Sequence, residues 1–153
     1  MGDTKYFLHQ IKVRLIDISG QEWYSAAQHH YPEYINYNPS PFAAPHTDII
    51  NCYAKRRIFS LLRTQSLPIK NNLLRIGLSN NNLCEKCSGV YVENEFHILF
   101  RCSAYFDLRL AYIPEYYILE PSIDKLYQLL STNNKHTMNQ VTEFITKSLG
   151  DRL

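Results

Sequence analysis

No apolar run in this chain approaches the roughly 18 residues of a membrane-spanning helix. The opening stretch MGDTKYFLHQ is also short of apolar residues, so no signal peptide is expected. Met1-Gly2 invites N-myristoylation, but Tyr6 stands where that motif needs Ser or Thr. Glycine is scarce, at five residues, and seven prolines do not make a disordered composition. Internal repeats and low-complexity tracts are lacking. Cysteine is limited to four residues, three of them within nineteen positions, which leaves Cys52 as an odd thiol. That arithmetic disfavours two disulfides and favours metal ligation in a reducing, intracellular compartment, with nucleus and cytoplasm both open.

A hydrophobic content of 45% and an aromatic content of 13% over 153 residues are enough for one core, in a single domain or a compact domain with extensions. The net charge is only +2, but it is unevenly spread. Residues 55–75 hold Lys55, Arg56, Arg57, Arg63, Lys70 and Arg75 and no acid, while the rest of the chain carries a net −4. A basic segment on a mildly acidic body reads either as a polyanion-binding face or as a solvated helix surface.

The most informative stretch is Cys84-Glu85-Lys86-Cys87 … His97 … Cys102, a C-x2-C-x9-H-x4-C pattern. Thiolates and an imidazole in this number fit a tetrahedral Zn²⁺ site closed by protein ligands alone. The short C-x2-C turn converges two thiolates, and Gly89 supplies the backbone freedom it needs. The H-x4-C half suits a helix end whose last turn unwinds. The competing reading is a set of buried cysteines with a core histidine.

Around this motif the pattern predicts a mainly α fold, a small helical domain organised around one Cys3His zinc knuckle with a short β-hairpin. Phe7, Leu8, Ile11, Leu15 and Ile18 describe one helical face over 5–18. Ser19-Gly20-Gln21-Glu22 is a capping-box pattern that predicts a second helix through Trp23 and Ala27. The segment 1–30 is therefore read as N-terminal helices, with His29-His30 as a polar helix end. Pro32, Pro39, Pro41 and Pro45 make 31–46 a Pro/Tyr-rich loop. Segment 47–112 is read as a basic helix plus the zinc module. Its helix is capped by Thr47, is favoured by Asp48 and runs to about Thr64. Residues 67–83 form an ordered connector. Val90-Tyr91-Val92 predicts a return strand, and Glu93-Asn94 starts a helix that aims His97 at the metal. Segment 113–153 is read as a helical hairpin. Its first helix opens at Ser122 and its second, near 136–149, carries Met138, Val141, Ile145 and Leu149.

Arg63-Thr64, Leu67-Pro68-Ile69, Leu83-Cys84-Glu85-Lys86-Cys87, then Glu93-Asn94-Glu95-Phe96-His97-Ile98-Leu99-Phe100-Arg101-Cys102, with Tyr105 and Arg109 following, form a longer pattern. It resembles the cysteine/histidine-rich segment near the C-terminus of non-LTR (LINE-type) retrotransposon reverse-transcriptase polyproteins. Gln21-Glu22-Trp23 resembles a short Gln-acid-Trp segment upstream of that region. The resemblance covers about a third of the chain well and residues 21–149 weakly. Position by position, Cys84, Cys87, His97 and Cys102 match the family's metal ligands. Two departures touch no ligand: Arg75 and Gly77 are reversed and displaced, and Ser103 stands where Pro is common.

The resemblance implies a zinc-stabilised nucleic-acid-binding module. It does not imply catalysis, because the sequence has no Asp-Asp pair and no clustered acids of the RNase H or endonuclease kind. The expected function is therefore non-enzymatic: RNA or DNA held through Lys55, Arg56, Arg57, Arg63, Lys70 and Arg75, with Tyr53 or Tyr91 stacking on bases. No membrane and no small-molecule substrate are expected. The alternative is a zinc-stabilised scaffold for a protein partner, which the small net charge favours.

Overall fold

The computed structural model describes residues 2–30, 35 and 45–153. The chain divides into two units, Met1–Ala44 and Pro45–Leu153. In the first, helix α1 runs unbroken over Gly2–His30. The expected second start at Ser19 does not occur. Gly20 is the only weak helix former at that point, and glycine inside a helix costs only about 1 kcal/mol relative to alanine, too little to end one. Most of the expected loop at 31–46 lies outside the described residues, but Pro45 and His46 belong to a short helix.

The second unit begins with that helix, α2 (Pro45–Ile49). Proline at the first helical position gives up an N–H that has no intrahelical partner in any case. The expected single helix from Thr47 is interrupted at 50–52, and α3 spans Tyr53–Arg63. Arg56 holds the break in place: its Nε donates to the Ile50 carbonyl at 3.1 Å and its Nη2 to that of Asn51 at 3.4 Å.

The connector after Pro68 contains α4 (Lys70–Arg75). It ends in a Schellman cap, in which Leu78 N–H donates to the Leu73 carbonyl and Gly77 N–H to that of Leu74. Gly77 provides the left-handed φ of +76° that this cap requires. Four further helices follow: α5 (Phe106–Tyr112), α6 (Glu115–Ile118), α7 (Ile123–Ser131) and α8 (Lys135–Leu149). The last two are capped at their N-termini, where Ser122 accepts from Lys125 N–H, at the helix start expected there, and Asn134 accepts from Thr137 N–H, two residues before the expected start near 136.

Helix α8 is the central element. It packs against α3 and α5, and buries Met138, Val141, Phe144, Ile145 and Leu149 against Phe59 and Leu62 of the core. The ion pair Lys55–Glu143, at 2.7 Å, joins α3 to α8 at the surface. The fold is thus mainly α, as expected, but the β-hairpin is not formed. Among the described residues there is no strand, and Leu83 and Val92 make one isolated antiparallel bridge. Glu93 N–H still donates across this bridge to the Asn82 carbonyl at 2.7 Å, but the ladder goes no further: the Glu93 carbonyl accepts from Asn71 N–H and its carboxylate from Lys70 N–H.

Candidate metal centre

Cys84 and Cys87 sit on a tight turn that follows the bridge. Cys84 N–H donates to the Tyr91 carbonyl at 2.8 Å, and Gly89 closes the turn with a φ of +70°. His97 begins a π-helical turn, His97–Arg101. Asn94 prepares it, its Oδ1 accepting from His97 N–H at 2.8 Å. Cys102 N–H then donates to the His97 carbonyl at 2.7 Å, the i→i+5 bond of a π turn. The sequence suggests an unwound last turn; the backbone widens instead, and the wider turn brings two residues five apart to one site.

A π turn leaves carbonyls without their α-helical donors. Arg109, buried on α5, supplies them. Its Nε donates to the Leu99 carbonyl at 2.8 Å, and its Nη2 to those of Cys102 at 2.7 Å and Ile98 at 3.4 Å.

The ligand atoms of Cys84, Cys87, His97 and Cys102 all lie within 4.8 Å of one another, an arrangement able to hold a metal ion. The Cys84 and Cys102 sulfurs are 3.8 Å apart, far beyond a disulfide bond, and the Cys87 sulfur is 3.5 Å from His97 Nε2. Burial pushes the Cys84 thiol up to about 12 and raises Cys102 as well. Burial also works against Cys87, but hydrogen bonds from the Cys84 thiol and the Gly89 and Ser88 amides prevail and lower it. His97 is lowered by burial first, with Glu93 pulling it up and Arg109 and Arg101 reinforcing the drop. Burial thus disfavours charge on His97, Cys84 and Cys102, and hydrogen bonding favours the thiolate at Cys87 alone. A divalent cation supplies the charge that lets buried thiols ionise.

Two buried acids that periodicity does not reveal tie the segment before His97 to the rest of the unit. Glu93, 1% exposed, accepts from Lys70 N–H at the start of α4 and receives both Nη atoms of Arg152, at 2.9 and 3.0 Å. Buried Glu95 accepts from Asn72 Nδ2 at 2.7 Å, and that amide also donates to the Leu67 carbonyl. The signal for Glu93 and Glu95 lay only in the acidic pair of the longer pattern; Arg152 and Asn72 gave none.

The six basic residues do not form one face. Arg63 is 2% exposed, with Nη1 donating to His46 Nδ1 at 2.8 Å, so it is not part of the surface. It lies one turn after Phe59 on the buried side of α3. Lys55 is paired with Glu143, and Lys70 with Glu85 at 2.9 Å. Arg56 closes the 50–52 break, and Arg75 donates to the Gln65 carbonyl while staying exposed. Arg57 is exposed, one turn along α3 from Tyr53, which is 76% exposed. Lys86, in the C-x2-C turn, is a further exposed cation. No helix among the described residues is long and apolar enough to cross a membrane. No family model, curated protein or solved structure matches this chain.

Proposed function

We propose that this chain is a zinc-stabilised nucleic-acid-binding module without catalytic activity of its own, related to the tail of LINE-type reverse transcriptases. The observation that carries the zinc half is metric. Zn–S bonds of about 2.3 Å and Zn–N bonds of about 2.0–2.1 Å at tetrahedral angles place two sulfurs about 3.8 Å apart, and sulfur and nitrogen about 3.6 Å apart. The Cys84–Cys102 and Cys87–His97 pairs have 3.8 Å and 3.5 Å, and all pairs lie within 4.8 Å. Three thiolates and one imidazole fill a tetrahedron, so the ion has a structural role and keeps no position for a reacting water.

The nucleic-acid half is supported by the residue pattern quoted above and by surface chemistry. Arg57, Arg75 and Lys86 remain exposed, and Arg57 shares a helix face with exposed Tyr53. Phosphate contacts from such residues are insensitive to sequence and strongly sensitive to salt. The test is a titration of labelled single-stranded RNA and duplex DNA across a salt series. Arg57→Glu with Lys86→Glu is expected to weaken all sequences alike and flatten the salt slope. Salt-independent or absent binding at low ionic strength contradicts the reading.

One observation favours the scaffold alternative. Lys55, Arg63 and Lys70 are all engaged by partners within the fold, which reduces the cationic surface. Absent nucleic-acid binding together with a full zinc load is the result that selects it.

A further inference from the structure

We propose that Tyr91 is a stacking platform for an unpaired base, which makes single-stranded nucleic acid the preferred ligand of this module. The inference rests on the nucleic-acid reading above and goes beyond it by naming the residue and the strand form. Tyr91 is 59% exposed, yet its ring is not free: it lies on the imidazole of His97, centroids 5.7 Å apart and planes 24° from parallel. That is an offset stack. The imidazole beneath is itself fixed, being buried with Nε2 against the Cys87 sulfur. The Tyr91 carbonyl accepts from Cys84 N–H, so backbone and ring are both tied to the ligand cluster.

One face of the ring therefore lies on His97, while more than half of the residue stays open to solvent. A ring ordered before binding loses little freedom when a base arrives. Tyr53 is more exposed but has no such support. The surrounding charge is also suitable. Lys86 is exposed on the turn that Tyr91 pairs with, Glu85 is engaged by Lys70, and Glu93 is buried under Arg152. The two acids nearest in sequence to Lys86 and Tyr91, Glu85 and Glu93, are thus both held in ion pairs. Bases within a duplex are already stacked on both faces, so this platform discriminates in favour of the single strand.

The test uses the zinc-loaded chain, a fluorescently labelled oligouridine and a duplex, with bound zinc measured for each variant. Aromatic–base stacking accounts for roughly 1–3 kcal/mol per base, so Tyr91→Ala is expected to weaken oligouridine binding by about 5- to 150-fold. Tyr91→Phe and Tyr91→Trp are expected to stay close to wild type. Duplex affinity and zinc content are expected to be unchanged in all three. Wild type that binds oligouridine no better than Tyr91→Ala overturns the platform and leaves the parent reading standing. Wild type that binds neither strand form at low salt overturns both. A Tyr91→Ala defect that tracks zinc loss and is cured by excess zinc also overturns the platform, since the ring then only covers the metal site.

Discussion

His46 is buried between two α3 side chains that fix its protonation. Arg63 only donates, so His46 Nδ1 accepts, and the ring proton lies on Nε2 facing Ser60 Oγ at 2.9 Å. Ser60 in turn donates to the Arg56 carbonyl. Burial first, then Arg63 and Arg56, push His46 down to about 4, with Asp48 pulling weakly the other way. The unfolded chain thus binds the extra proton more readily. Stability from this group is complete above the ordinary histidine value and is lost as pH falls towards 4. Between pH 7 and pH 5 His46 alone is expected to remove about 2 kcal/mol, read from urea midpoints as the part of the dependence that His46→Gln abolishes. Gly77 makes a separate prediction. A Cβ there meets nothing within 4 Å, so Gly77→Ala pays only for its φ of +76°, roughly 1–2 kcal/mol of stability by the same measurement. The convergence of Cys84, Cys87, His97 and Cys102 was legible, because their spacing is that of a closed four-ligand site. Arg63 was not: its charge argued for solvent, whereas its position one turn after Phe59 places it inside.

The π turn His97–Arg101 is the element on which the centre depends, and Arg109 makes it tolerable. Arg109→Met leaves three buried carbonyls without a side-chain donor and is expected to cost about 3 kcal/mol or more. Zinc affinity in a chelator competition is expected to fall with it. Arg109→Lys is expected to recover only part, because an ammonium cannot span the same carbonyls as the guanidinium fork. The H-x4-C spacing announced that the two ligands meet, but not by widening, since the donors that permit widening come from the next helix. The Val90-Tyr91-Val92 pattern likewise read as a strand, yet pairing ends at one bridge, where Glu93 N–H still donates to the Asn82 carbonyl while the Glu93 carbonyl and carboxylate serve α4. In α1 the Ser19-x-x-Glu22 cap signal was overridden by uninterrupted helix on both sides.

Across the Pro45–Leu153 unit, stability concentrates where distant segments meet. Arg152, close to the C-terminus, reaches Glu93 in the metal module over 59 positions of sequence. Burial tends to raise the Glu93 carboxyl, but Arg152 and the Lys70 amide prevail and hold it below the usual carboxylate range. That stabilisation is present above the ordinary glutamate value and is lost as pH falls through the lower folded one. Glu93 is almost wholly buried, and removing the partner of such a charge is expected to cost about 3–5 kcal/mol, so Arg152→Met is expected to lower the melting temperature clearly. The sequence showed that α8 has an apolar stripe but not what covers it. The expected partner was the preceding helix, whereas α8 packs chiefly on α3 and α5, because periodicity identifies a face and not its neighbour. The Cys84–Cys87–His97–Cys102 cluster adjoins these elements through the π turn and Arg109. The most direct test is zinc titration into metal-stripped, reduced protein, followed by far-ultraviolet circular dichroism. Helicity is predicted to rise and saturate at one zinc per chain, as a structural site that folds with its metal requires. Metal-free protein with full helicity and an unchanged melting temperature on adding zinc contradicts it.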